Sequence, residues 1–245
     1  MSELVTRRDD GNVAILTLNR PDQLNALSPR LFGELRSHVD ALAQQGETFG
    51  AVLLTGAGRS FSAGNDLKAI AAGETAPPHF QAETIERLEA LPQVVIGAVR
   101  GHCYTGALEL VLGCDLIVAS ETARFCDTHG KFAMVPQWGM SVRLPARIGL
   151  PKAREMMFTG RVVDGCEAER IGLANRCVAD AELDQAALDL AKQVAANSPW
   201  TLRHEKALLA RAGDLPRAQA IREEREKGVG RGPDSAARVA AFAKR

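Results

Sequence analysis

The chain has 245 residues, 46% of them hydrophobic and 24% charged, and its 30 Lys plus Arg balance 30 Asp plus Glu. A chain this long buries roughly 70–75% of the surface its unfolded form exposes, enough for one large domain or two small ones. The balanced charge argues against a polyanion such as nucleic acid as main partner, but leaves room for a local basic patch facing a small phosphorylated group.

The first predicted element is a strand over 13–18, Val-Ala-Ile-Leu-Thr-Leu, ended by the turn cluster Asn19-Arg20-Pro21-Asp22. A helix is predicted from Ser28, with Pro29 at its first position and Leu31, Leu35, Val39 and Leu42 at helical spacing. The apolar run 51–55 then meets a glycine-rich loop. A polar helix over about 79–91 precedes a second buried-strand pattern at 94–99, and 116–119 gives another. Strands alternating with helices indicate an α/β architecture with largely buried strands. From about Glu182 the pattern is helical only, over 182–196, 199–212 and 214–227, with no strand signal after Val178.

The cysteines, Cys103, Cys114, Cys126, Cys166 and Cys177, form no C-x-x-C pair and no His/Cys cluster at zinc spacing, so no metal site is expected. Reduced thiols in a cytoplasmic setting fit best. The start, MSELVTRRDD, lacks the apolar run of a signal peptide, and the most apolar stretch, 108–119, is broken by Glu109 and Asp115. A membrane span is not expected.

Two glycine-bearing segments carry the chemistry. The first, Gly56-Ala57-Gly58-Arg59-Ser60-Phe61-Ser62-Ala63-Gly64-Asn65-Asp66-Leu67, follows a strand. It is no dinucleotide fingerprint, because Phe61 stands where the third glycine is needed, and Gly-Lys-Ser/Thr is absent. The second, Arg100-Gly101-His102-Cys103-Tyr104-Thr105-Gly106-Ala107-Leu108-Glu109, leads from a strand into a helix opening at Thr105 or Gly106 and running through Leu112. Amides at a helix start have no intrahelical acceptor and can donate to an anionic oxygen. Glu109 lies one turn on, on the same face, among apolar residues that favour its neutral form and proton transfer near neutral pH. A structural ion pair with a distant arginine is the alternative.

Asn19-Arg20-Pro21…Asn25-Ala26-Leu27, Gly58…Phe61-Ser62-Ala63-Gly64-Asn65-Asp66-Leu67 and Gly101…Gly106…Glu109-Leu110…Cys114-Asp115-Leu116 resemble the crotonase superfamily of enoyl-CoA hydratases and isomerases in order and spacing. Pro136…Gly139, Arg143-Leu144, Thr159-Gly160 and Gly172-Leu173-Ala174 agree, so the resemblance spans nearly the whole chain. It implies a spiral of β-β-α units over 1–195 carrying an acyl-CoA site. It also implies a helical oligomerisation region over 196–245, giving a homotrimer or a dimer of trimers. An oxyanion hole of the Asn65 and Gly106 amides is implied around a thioester carbonyl. Coenzyme A contacts are implied at Gln23, Leu24 and Ala26 and along Ala63, Gly64, Asp66, Leu67 and Lys68. Coenzyme A enters as part of the substrate, and no permanently bound cofactor is implied.

Hydratases of this superfamily hold water between two glutamates. Glu109 matches the first, but the second position falls on His129. A histidine can donate or accept a proton near pH 7. Asp127, two residues earlier, would share a face with it if the segment is extended, and could orient the imidazole. Otherwise His129 is a core histidine. Trp138 stands where the family has a small residue, and either shapes the acyl pocket or serves packing or a subunit interface. Hydration is the leading expectation. Isomerisation, hydrolysis of a thioester or C–C bond, and acyl-CoA binding without chemistry are the alternatives.

Overall fold

The computed structural model describes residues 3–244. The chain opens on a hairpin in which β1 (Val5–Asp10) pairs antiparallel with β2 (Val13–Leu18). The turn between them needs Gly11 at φ 57°, a conformation open to glycine at little steric cost. The sequence of β1, VTRRDD, lacks an apolar alternation, so periodicity does not announce it. It forms a charged edge of the sheet, which discourages pairing with another chain.

Next comes α1 (Pro29–Ala43), begun as its sequence predicts: Ser28 Oγ accepts from the Leu31 amide at 3.2 Å and Pro29 opens the first turn. It is followed by β3 (Ala51–Gly56), the short α2 (Leu67–Ala71), α3 (Phe80–Glu89), β4 (Val94–Val99), β5 (His102–Tyr104), α4 (Gly106–Leu112), β6 (Leu116–Ser120) and β7 (Arg124–Cys126). Helices α5 (Met140–Ile148) and α6 (Leu150–Thr159) lead to β8 (Val163–Asp164), α7 (Gly165–Arg170) and β9 (Arg176–Val178). Four helices finish the chain: α8 (Leu183–Ala195), α9 (Pro199–Asp214), α10 (Arg217–Glu226) and α11 (Ser235–Phe242).

The large sheet has the order β1-β2-β3-β4-β6-β9, parallel throughout except for β1. Its strands read as continuous apolar runs because both faces are covered. Alternate residues point into two cores. Ala14, Leu16, Val52, Leu54, Val95 and Ile117 meet α1, α3 and α4 on one face. Val13, Ile15, Leu53, Ile96 and Val118 meet Leu183, Ala187, Leu190 and Ala191 of α8 on the other. Each fully buried leucine contributes about 1.5–3 kcal/mol by leaving water.

A second sheet, β5-β7-β8, is built from strands of two or three residues, too short to give a periodic signal. Chain segments leaving the large sheet drop into this second layer: β4 continues to β5 and then α4, and β6 continues to β7. This is the β-β-α spiral of the crotonase fold. Gly97 fixes the height of α4 above β4, since a Cβ there would lie 2.6 Å from Val111 Cγ2. Helices α9–α11 contain no buried residue, in contrast to α8. Lys206 Nζ on α9 ties back to Asp115 Oδ2 at 2.7 Å.

Candidate active site

The two glycine-bearing loops lie side by side in the second layer. Ser62 and Cys103 form a parallel bridge; the Ser62 amide donates to His102 O at 2.8 Å and the Tyr104 amide to Ser62 O at 3.3 Å. Three residues beyond that bridge in each loop stand Asn65 and Gly106. Their closeness shows at Gly64 (φ 96°), where a Cβ would lie 2.5 Å from Tyr104 O and 3.7 Å from the Gly106 nitrogen. Among the described residues, neither the Asn65 nor the Gly106 amide has an acceptor within the chain. Two unpartnered donors on adjoining loops can hold an oxygen that gains negative charge.

Thr105, just before Gly106, has φ 52° and ψ −108°. For a β-branched residue this is a genuine outlier, and such backbone strain is worth about 1–3 kcal/mol. It is held by the Thr105 amide donating to Cys126 O at 2.8 Å and by its hydroxyl, which bonds the Thr128 hydroxyl and accepts from the Thr128 amide at 3.1 Å.

Glu109 is 2% exposed. Its Oε1 accepts from the Trp138 amide at 2.9 Å and the Met140 amide at 3.2 Å, while Oε2 stands 3.8 Å from His129 Nε2. No arginine partner for Glu109 exists among the described residues, so the ion-pair alternative falls. Burial pushes the Glu109 carboxyl above its usual range, outweighing the two amides and His129, which favour the anion.

His129 Nδ1 lies 2.6 Å from Asp127 Oδ1, which also accepts from the His129 amide at 3.0 Å. The pairing matches expectation, but the backbone does not. Strand β7 ends at Cys126, and His129 begins a 3₁₀ turn over His129–Phe132, so Asp127 reaches the ring by a tight side-chain-to-backbone turn rather than across an extended face. Burial pulls the His129 pKa down, yet the Asp127 hydrogen bond and the charges of Asp127 and Glu109 outweigh it and raise the net value. In the neutral ring that donates Nδ1–H to Asp127, Nε2 carries a lone pair facing Glu109; in the protonated ring it carries a proton instead.

Trp138 packs edge-on against Phe32, with centroids 5.2 Å apart, and its ring covers Gly106: a Cβ there would lie 2.4 Å from Trp138 Cζ3. Its side chain joins the main core while its amide serves Glu109.

The expected coenzyme A residues fall on two joined segments. Gln23 ends a 3₁₀ turn, and Leu24 (φ 48°) and Asn25 (φ 53°) reverse the chain. The Ala63 amide donates to Leu24 O at 2.9 Å and the Leu27 amide to Gly64 O at 2.8 Å, which sets Ala26 beside the 63–66 loop. Asp66 caps α2 through the Ala69 amide at 3.0 Å and pairs with Arg20 Nη1 at 2.7 Å, so its oxygens hold the loop. Arg20 lowers its carboxyl pKa together with the Ala69 amide, against burial, the largest single influence. Leu67 and Lys68 are exposed on α2.

Sequence reasoning assigned no role to several of these residues. Arg20 also reaches Ala26 O at 2.6 Å, and buried Asn25 donates to Ala57 O and Ser60 O at 2.9 and 2.8 Å. Both stand in the recognisable N-terminal motif, which is the signal that could have found them. The Met140 amide and Thr128 have no such signal. Among the described residues, no group of three or more His, Cys, Asp or Glu is placed to hold a metal ion.

Two amides without acceptors on adjoining loops and the buried Glu109, His129 and Asp127 side chains thus lie within one region of a crotonase fold. The family model described as enoyl-CoA hydratase/isomerase matches residues 8–230. A protein of Arabidopsis thaliana named "Probable enoyl-CoA hydratase 1, peroxisomal" is 31% identical over 224 residues, 90% of this chain and 83% of its own length. The short-chain-enoyl-CoA hydratase of Clostridium acetobutylicum is 32% identical over 222 residues, 88% of this chain and 85% of its own. The crystal structure of an enoyl-CoA hydratase from Bacillus anthracis superposes with a TM-score of 0.92 at 30% identity, covering 98% of this chain and 96% of that one. The chain belongs to the enoyl-CoA hydratase/isomerase family.

Proposed function

We propose that the chain is an enoyl-CoA hydratase that adds water reversibly across the double bond of a 2-enoyl-CoA. The observation that carries this is the 3.8 Å gap between Glu109 Oε2 and His129 Nε2. A water about 2.8 Å from each atom fits that gap at ordinary hydrogen-bond lengths. Adding water to the conjugated thioester places negative charge on the carbonyl oxygen, which the Asn65 and Gly106 amides would receive. Loss of one such donor in another enzyme costs about 2.7–4 kcal/mol.

In this reading His129 Nε2 takes a proton from the water as its oxygen bonds C3. Glu109, whose neutral form burial favours, gives its proton to C2. The pair then holds the same single proton it began with, now on His129, and its return to Glu109 resets the site. A couple sharing one proton can serve both directions of the reaction. Gln23, Leu24, Ala26 and the 63–68 segment would contact coenzyme A, which enters only as part of the substrate. We place the chain in a cytoplasmic setting on its cysteine spacing, which forms no C-x-x-C pair. Among the described residues, no helix is long and apolar enough to cross a membrane.

The test is incubation with short-chain and aryl 2-enoyl-CoA panels, with 3-hydroxyacyl-CoA as the expected product. Folded protein that turns over none of them overturns hydration. The close Asp127–His129 contact also favours a second reading, hydrolysis. Heavy-oxygen water separates the readings: label enters the 3-hydroxyl on hydration, the carboxylate on hydrolysis, and no product on isomerisation.

We further propose that residues 196–245 mediate assembly into a trimer or a dimer of trimers. Support comes from Leu209, Val239 and Phe242, which stand 75%, 64% and 80% exposed on helices that bury nothing within one chain.

A further inference from the structure

We propose that Thr105 and Thr128 form a latch that aims the Gly106 amide, making Thr128 a positioning residue for the oxyanion hole. The inference rests on the hydratase reading above and goes beyond it, since neither threonine touches the reacting atoms in that scheme.

The argument begins with one torsion. The direction of the Gly106 N–H is fixed by rotation about the Cα–C bond of Thr105, whose ψ is −108°. Hydrogen bonds prefer donor angles above about 150° and weaken steeply below about 120°, so a rotation on the order of 30–60° degrades the donor. The conformation at Thr105, with φ 52°, is one a β-branched residue leaves unless its surroundings hold it.

Three contacts hold it. The small sheet runs in register as far as Tyr104 opposite Cys126, and the Thr105 amide then donates to Cys126 O at 2.8 Å. Past that point the backbone ladder stops, and the side chain takes over. Thr105 Oγ1 accepts from the Thr128 amide at 3.1 Å and shares a hydrogen bond with Thr128 Oγ1. The hydroxyl pair therefore closes on the residue whose ψ aims the donor.

The other side of the latch has its own meaning. Thr128 lies between Asp127 and His129, and the Asp127 carboxylate already binds both the ring and the amide of His129. One hydroxyl pair thus joins the loop that supplies an oxyanion donor to the turn that supplies the base. The two halves of the site keep a common register, independent of the acyl group bound.

Thr128→Val removes the hydroxyl and keeps the shape. The expected result is a fall in kcat on the order of tenfold to a hundredfold with KM little changed, because misplacement of a donor is felt in the transition state. The loss should be the same factor for short-chain and aryl 2-enoyl-CoA substrates, since all share the thioester oxygen. Thr128→Ser, which keeps the hydroxyl, should restore most of the rate. Thr105→Gly, which accepts φ 52° without strain but loses the hydroxyl that accepts the Thr128 amide, should likewise be slower than wild type. With bound butyryl-CoA, the thioester carbonyl stretch seen by Raman difference spectroscopy should lie closer to its free value in Thr128→Val than in wild type. Wild-type turnover with unchanged kcat and carbonyl stretch in Thr128→Val overturns the latch and leaves the hydratase reading standing. A loss that Thr128→Ser fails to rescue, or one that varies with the acyl group, also overturns it. Wild-type protein inactive on every enoyl-CoA removes the hydratase reading, and the latch with it.

Discussion

Glu109 and His129 meet through one oxygen only: Oε2 faces Nε2 at 3.8 Å, while Oε1 is held by the amides of Trp138 and Met140. In the proposed mechanism the carboxylate is both a structural acceptor and a proton donor, and the two roles sit on different atoms. Substitutions at Glu109 should separate them. Glu109→Gln keeps an acceptor for the two amides and removes the proton, so kcat should fall by about 10²–10⁴ with little change in stability. Glu109→Ala leaves both amides without their acceptor and should lower stability by about 1–3 kcal/mol for each that stays unsatisfied. Steady-state kinetics and denaturant melts of the two variants check this. Equal stability of both would show that the amides find other partners.

Asp127 raises the proton affinity of His129, and this sets a pH prediction with a definite sign. If His129 is the base of the proposed mechanism it must be neutral, and activity should be lost as pH falls through its raised pKa. Asp127→Asn removes the carboxylate charge and lowers that pKa. The acid limb of kcat/KM against pH should move to lower pH, while the maximum rate drops because the ring is less firmly oriented. An acid limb that stays in place would mean that the limb does not report His129.

The buried acid also makes stability depend on pH. The folded pKa of Glu109 lies above its unfolded value of about 4.3, so the folded chain keeps a proton that the unfolded chain releases. That contribution is fully present below the unfolded pKa and is lost as pH rises through the folded one. His129, raised partly by the charge of Glu109, acts with the same sign. The Tm of wild type relative to Glu109→Gln should therefore fall as pH rises across this window. A difference that is flat or grows with pH contradicts burial as the dominant influence on Glu109.

Much of this centre was legible in the sequence because its signals were local. The helix at 106–112, its first-turn carboxylate and the Gly64-Asn65 loop follow from short motifs, and β2, β3, β4 and β6 from apolar runs long enough to read. The remainder depends on contacts far apart in the chain. Strands β5, β7 and β8 are too short for any period and exist only because the spiral lays them side by side. The amides of Trp138 and Met140 reach Glu109 from about thirty residues away, and a backbone donor leaves no mark on composition. Asp127 and His129 do meet, but through a tight turn rather than along an extended face, a geometry that period-two spacing does not describe.

Gly64 and Gly11 make a controlled comparison of two positive-φ glycines. A Cβ at Gly11 (φ 57°) meets nothing within 4 Å, whereas one at Gly64 (φ 96°) would lie 2.5 Å from Tyr104 O. Gly11→Ala carries the backbone strain alone and should lose about 1 kcal/mol with normal activity. Gly64→Ala adds a clash with backbone that cannot swing away, on the loop holding Asn65. It should lose about 2 kcal/mol or more and most of its activity. Denaturant melts with turnover assays decide it, and similar behaviour of the two variants would show that the 64–106 approach is not tight in solution.

The C-terminal helices carry the last prediction. Phe242 at 80% and Val239 at 64% exposure lie one turn apart on α11, and Leu209 at 75% on α9, with nothing in the chain itself covering them. If the chain stays alone in solution, charges at these positions should change stability by no more than about 0.5 kcal/mol, the usual range for surface sites. If neighbouring copies cover them, a charge is forced into an apolar interface and the assembly loosens. Light scattering of the wild type should give a multiple of three times the 26.2 kDa chain mass. The double variant Val239→Asp, Phe242→Asp should shift toward lower mass and melt earlier, with a Tm that rises with protein concentration as mass action requires. A wild-type mass of one chain would refute the assembly, and an unaltered mass in the double variant would exclude α11 as the contact while leaving α9 and α10 to be tested in the same way.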